Sequence, residues 1–128
     1  MPPVFLNLSE VLHIHSDQIE RYGGEPGVRD IGLLQSALAM PAAGFGGRFL
    51  HHDLFEKAAA YPLHIARNHP FVDGNKRTGA ACALVFLELN DIEINAGEDA
   101  LVEVVTAVAE GRAAKEAIAN FFRRHIHR

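Results

Sequence analysis

The chain has 128 residues, 48% of them apolar and 22% charged, with a formal net charge of −4. A chain of this length is most simply one domain burying about two-thirds of its unfolded surface, and the negative balance argues against a general affinity for nucleic acid or anionic membranes. The single cysteine, Cys82, excludes a disulfide framework, and neither a signal peptide nor an apolar run near the ~20 residues of a membrane span is present, so a cytoplasmic globular domain is expected.

Along the chain, Ser9 can cap a first helix in which Val11, Leu12, His15 and Ile19 keep helical spacing up to Tyr22. Gly23-Gly24 closes it, since glycine takes the left-handed C-cap conformation without steric penalty. Pro26-Gly27 marks a turn, and Asp30 can cap a second helix through Leu33, Leu34, Ala37 and Leu38, which Pro41 stops. Residues 42–51 read as a glycine-rich loop carrying Phe45 and Phe49. Asp53 can open a third helix, Leu54 to about Asn68, in which Pro62 predicts a kink. The nearly unbroken apolar run from Thr78 to Leu89 predicts a buried helix ending at Asn90. Ile92 and Ile94 alternate with polar neighbours as a short extended stretch, and residues 99–110 and 113–124 predict two closing helices parted by Gly111. The basic tail from Arg123 to Arg128 is expected to fray. The class is all-α: a compact single domain over 1–128, with about six helices gathered around the 78–89 segment.

Between the third and fourth helices lies His69-Pro70-Phe71-Val72-Asp73-Gly74-Asn75-Lys76-Arg77. A helix start carries roughly half a positive charge, so Lys76 and Arg77 there cost roughly 0.3–1 kcal/mol each unless an anion docks beside them. Gly74 would let backbone approach a phosphate, Asn75 can cap the helix or donate to an oxygen, and Lys76 offers a point charge. Arg77 offers a bidentate fork, and Asp73 is a hard oxygen ligand suited to magnesium. His69 is the nearby group suited to take a hydroxyl proton at neutral pH. Together these are the parts for phosphoryl or nucleotidyl transfer. The same residues also make an ordinary turn, cap and solvated cation pair, and chemistry alone leaves both readings open.

At these residues the chain resembles the Fic/Doc superfamily, specifically its death-on-curing (Doc) branch. Arg21-Tyr22-Gly23-Gly24-x-Pro26-Gly27 with Asp30, and then Asp53-Leu54-Phe55-Glu56, resemble the Doc pattern in the same order, so the likeness spans most of the chain. The resemblance implies a helical fold with the motif between two central helices. It implies a toxin kinase that phosphorylates a threonine of elongation factor Tu with ATP and magnesium, inhibiting translation, and a cognate antitoxin whose C-terminal segment folds on binding. The related Fic enzymes transfer AMP instead; they carry a second glycine where this chain has Lys76, whereas Pro70 and Gly74 are more like the AMP-transferring form. By the same resemblance His69 would be the general base, Asp73 would hold magnesium, and Gly74, Asn75, Lys76 and Arg77 would contact phosphates. Phe71 would be a buried anchor for the loop. A catalytically silent binding module is the third reading.

The remaining residues carry less. Eight histidines include no i,i+4 pair for a helix-borne metal site, and His13 and His15 point to different faces. His64 reads as a half-buried packing residue, Cys82 as a small core residue. No Gly-x-Ser-x-Gly supports a serine hydrolase. Thr106-Ala107-Val108-Ala109-Glu110-Gly111 formally resembles the inhibitory motif of some Fic proteins, yet also reads as a helix end with a glycine cap. Loop 42–51 could be a docking strip for a protein target, or its phenylalanines could fold back onto the core.

Overall fold

A computed structural model describes residues 2–45 and 48–127, with only the backbone of Phe45. The described residues form six helices: α1 Leu8–Tyr22, α2 Ile31–Ala39, α3 Leu54–Asn68, α4 Asn75–Leu89, α5 Glu98–Ala109 and α6 Glu116–Arg124. A two-stranded hairpin, β1 Gly44–Phe45 and β2 Arg48–Phe49, stands between α2 and α3. The all-α bundle of six helices is therefore the observed class, and none of the described helices is long and apolar enough to cross a membrane.

Acidic and amide side chains set the helix starts. Asp30 accepts from the Leu33 N–H and Asp53 from the Glu56 N–H, as their positions predict. The first helix starts earlier than Ser9: Asn7 caps it, and the Glu10 side chain returns to the Asn7 N–H. This is the reciprocal capping box, which satisfies two otherwise orphaned donors.

α3 and α4 form the most extensive helix pair and the centre of the core. Their contact is lined by small residues, with Ala58, Ala80 and Ala83 fully buried. At Gly79 the helices approach so closely that a Cβ would stand 2.7 Å from the Pro62 Cα. α3 runs unbroken through Pro62, whose missing N–H is tolerated within this tightly packed surface. Around the pair, Tyr61, Phe86, Leu34, Leu101, Ile118 and Phe122 fill the interior. The Tyr61 hydroxyl accepts the Leu6 N–H at 3.0 Å, and burial pushes its pKa up to about 12. Cys82 is fully buried and its thiol is pushed up by desolvation, which removes the thiolate that reactivity would need.

Two further expectations are corrected. The 42–51 loop contains the hairpin, in which Phe49 is 41% exposed and tilts against Phe5, with the Lys57 ammonium 4.4 Å from its ring centroid. The C-terminal tail is tied down rather than frayed through residue 127. Ile126 bridges Ile94, the His127 N–H donates to the Glu93 carbonyl, and the Asn95 N–H donates to the His125 carbonyl. The His125 ring stacks on Phe121 and its Nδ1 bonds the Phe121 carbonyl at 2.7 Å. Basic composition alone suggested solvation, but the apolar Ile126 and the extended Ile92–Ile94 stretch supply a partner for each other.

Candidate active site

The motif lies in the link between α3 and α4, where the central helix pair holds both of its ends. His69 is the C-cap of α3, in the left-handed conformation at φ 49° and ψ 54°. Its N–H donates back to the Ile65 carbonyl. The final carbonyls of α3 are capped from outside: the Arg29 guanidinium donates to the His69 carbonyl at 2.7 Å and the Asn68 carbonyl at 3.1 Å. A cation is favoured at the negative end of a helix dipole, so Arg29 complements this position electrostatically as well as geometrically.

The turn segment before α2 lies alongside the motif. The Arg29 and Asp30 N–H groups both donate to the Pro70 carbonyl, the Val72 N–H donates to the Gly27 carbonyl, and Val28 forms a bridge with Phe71. Pro70 itself is buried. Phe71 is fully buried, and the His15 ring stacks flat on it at 3.8 Å with a 5° interplanar angle. His15, itself buried, places its Nε2 2.9 Å from the Asp73 carbonyl oxygen. A carbonyl can only accept, so that nitrogen carries the proton. His15 and Arg29 are the site residues that the sequence reading missed. Their partners lie 58 and 40 positions away, and neither spacing nor composition announces such contacts.

Asn75 sits at the first position of α4, only 5% exposed, and its side chain points into the loop. Its Oδ1 accepts the Phe71 N–H at 2.9 Å, while its Nδ2 donates to the Phe71 carbonyl at 3.0 Å and meets His69 Nδ1 at 3.1 Å. The amide is thus spent on the loop, and only its backbone N–H faces the helix start. Gly74 is the N-cap at φ +74°, and a Cβ there would come 3.2 Å from Ile19 Cδ1. Glycine is needed for the left-handed turn and for packing on α1, a different reason from the phosphate approach expected of it. Among the described residues no side chain caps α4, which leaves its first-turn N–H groups without a side-chain acceptor.

The two cations differ. Lys76 is exposed and has no ion-pair partner among the described residues. Arg77 is held: its Nη1 lies 3.0 Å from Asp99 and 3.6 Å from Glu98, and its Cζ lies 3.9 Å over the Tyr22 ring. The electrostatic anomaly of two cations at one helix start is therefore half resolved within the chain, because the acidic start of α5 neutralises Arg77. Burial pushes the Glu98 carboxyl up against the pull of Arg77.

Asp73 is exposed, its Oδ1 accepting the Gly74 N–H at 2.9 Å and its Oδ2 the Glu25 N–H at 3.2 Å. Gly24 makes room for it, since a Cβ at 24 would come 2.8 Å from Oδ2. The carboxylate keeps unused lone pairs. Among the described residues no three His, Cys, Asp or Glu side chains gather to hold a metal. A magnesium ion with one carboxylate would complete its shell with phosphate oxygens and water, and this donor set fits that pattern.

Glu110 closes α5 and pairs with Arg112, in keeping with the helix-end reading of Thr106–Gly111. It lies about 18 Å along the α5 axis from Glu98, at 1.5 Å per residue. His64 stands apart from the motif, in a cavity of about 340 Å³ with His51, Arg67 and Lys115.

An exposed imidazole, an exposed carboxylate and a cation without an ion-pair partner among the described residues thus stand at the start of α4 on an all-helical scaffold. The chain belongs to the Fic/DOC family, whose model matches residues 5–87, from the segment before α1 into the last turn of α4. It is 33% identical over 115 residues, 90% of either chain, to the Protein kinase doc of Escherichia phage P1. To the Toxin Doc of Mycolicibacterium smegmatis it is 45% identical over 91 residues, 66% of this chain and 70% of that protein.

Proposed function

We propose that this single-domain chain is the toxin of a toxin–antitoxin module and an ATP-dependent protein kinase of the cytoplasm. It transfers the γ-phosphate of ATP to a threonine hydroxyl of elongation factor Tu and so inhibits translation; a cognate antitoxin, whose C-terminal segment folds on binding, silences it. The observation that carries this reading is the start of α4, where among the described residues no side chain caps the helix and Lys76 has no ion-pair partner, with His69 across the loop. The names of the two relatives, one a toxin and one a protein kinase, support it.

In this reading the α4 N–H groups and Lys76 hold phosphate oxygens, and Arg77 reaches them on leaving Asp99. Magnesium, held by Asp73, would neutralise charge on the phosphates. The threonine oxygen attacks the γ-phosphorus, its proton passes to the His69 imidazole, and the bond from phosphorus to the β–γ bridging oxygen breaks to release ADP. Positioning and charge neutralisation carry most of such a reaction, and the base adds about 10²–10⁴-fold. The Lys76 side chain occupies the place where AMP-transferring relatives have glycine, which favours γ-phosphate transfer.

The test is incubation of the chain, magnesium and elongation factor Tu with ATP labelled at either the α- or the γ-phosphate. Label on the factor from the γ position alone is the expected result. Label from the α position would replace the kinase by an AMP-transferase, and no label from either would leave a binding module or another target.

A further inference from the structure

The hydrogen bonds of Asn75 determine more than the shape of the loop. A carboxamide can be turned end for end, but this one has no choice: the Phe71 N–H must meet its oxygen and the Phe71 carbonyl must meet its nitrogen. With the amide oriented by backbone groups alone, it is the NH2 end that faces His69 Nδ1 at 3.1 Å. Its second hydrogen points at that ring nitrogen, which must then be the one without a proton. A neutral imidazole with a bare Nδ1 carries its proton on Nε2, and the residue is exposed, with no partner for Nε2 among the described residues. We propose that Asn75 is a positioning residue that locks His69 in the Nε2–H tautomer, so that the resting site offers a target an N–H donor and keeps the ring's only base lone pair occupied.

This deepens the reading of His69 as a base, and rests on it only for its consequence. In the resting loop, a hydroxyl proton could be taken only at Nδ1, where Asn75 already donates, and the resulting imidazolium N–H would point at an NH2 group that cannot accept it. Base competence therefore requires the Asn75–His69 hydrogen bond to open, by rotation of the ring or a shift of the loop when ligands enter. Phe71, stacked on His15 and buried, keeps Asn75 from turning to relieve that conflict. Asn75 in this role is a gate on the base rather than a phosphate ligand.

The direct test is the ring-nitrogen spectrum of ¹⁵N-histidine-labelled protein at about pH 8.5, above the ordinary imidazole range. His69 should show an excess of the Nε2–H form roughly tenfold greater than exposed His13 shows, the population shift of about one net hydrogen bond. Asn75→Asp supplies an acceptor in place of the NH2 group and should move His69 toward the Nδ1–H form. A folded Asn75→Asp protein whose His69 tautomer matches the wild type would overturn the inference, as would an Nδ1–H form in the wild type. Should the aspartate variant not fold, Asn75→Ala keeps the test: it removes the donor, and the excess over His13 should disappear. None of these readings needs ATP or a target, so failure of the kinase assay and failure of the tautomer lock remain separate results.

Discussion

His64 and His69 stand five residues apart at one end of α3, in opposite circumstances. His64 is half-buried in the cavity it shares with His51, and desolvation, then Arg67, His51 and Lys115, hold its pKa below the ordinary imidazole value. His69 is exposed, at a helix cap, with a single amide fixed against one ring nitrogen. Burial among cations makes the first imidazole a neutral packing group. Exposure with one oriented partner leaves the second with its Nε2 unpartnered among the described residues, and a pocket or a histidine count by itself does not distinguish the two.

The largest expected effect lies on the His69 side. His69→Ala should lower phosphate transfer about 10²–10⁴-fold while the protein remains folded; a folded variant with full transfer would remove His69 from the mechanism. His64→Ala should instead leave transfer within a few-fold of wild type.

Next comes the loop that holds His69. Gly74→Ala must place a Cβ at positive φ and 3.2 Å from Ile19 Cδ1, so it should cost about 1–3 kcal/mol in denaturant unfolding and reduce transfer with it. Gly111→Ala, also at positive φ but in open space, should cost only the backbone strain of about 1–2 kcal/mol and leave transfer intact. Equal activity losses in the two would mean that the loop geometry does not matter.

The cavity histidines set a pH dependence. His51 is lowered mainly by burial, with Lys115, Lys57 and His52 adding to it and Glu56 opposing, and His64 is lowered as above. Because the unfolded chain binds these protons more readily, the stability they confer is complete above about pH 6.5 and is lost as the pH falls through that value toward their folded pKa values. Unfolding midpoints from about pH 7.5 to 5.5 should therefore fall, and His64→Asn should make the fall shallower. An unchanged slope would contradict the assignment of His64 as neutral.

Smallest is the acidic clasp on Arg77. Asp99 is 85% exposed, so Asp99→Asn should change stability by less than about 1 kcal/mol. If Arg77 must leave Asp99 to reach a phosphate, the same change should tighten Mg·ATP binding a few-fold in calorimetry; weaker binding would mean that the clasp orients Arg77 for the nucleotide instead.

Local chemistry made much of this fold legible in advance. Asp30 and Asp53 cap the helices that follow them because a carboxylate one residue before an apolar periodic run satisfies first-turn donors. The nine-residue motif announced itself by residue type. What stayed hidden depends on contacts distant in sequence: His15 on Phe71, Arg29 on the α3 carbonyls, Arg77 on the start of α5. Asn75 was visible as a polar residue at a helix start, but which way its amide faces is decided only once Phe71 presents both of its backbone groups. The Asn7 capping box is legible as Asn7 followed three residues later by Glu10, and Ser9 competes with it only because serine is also a common cap.

The most direct measurement is a titration of Mg·ATP into ¹⁵N-labelled protein, followed at every backbone amide and histidine ring. If the start of α4 is the phosphate site, the largest shifts fall at the amides of Asn75, Lys76 and Arg77, with His69 moving and His51 and His64 nearly still. Shifts centred on the His51–His64 cavity, with the start of α4 unmoved, would contradict it.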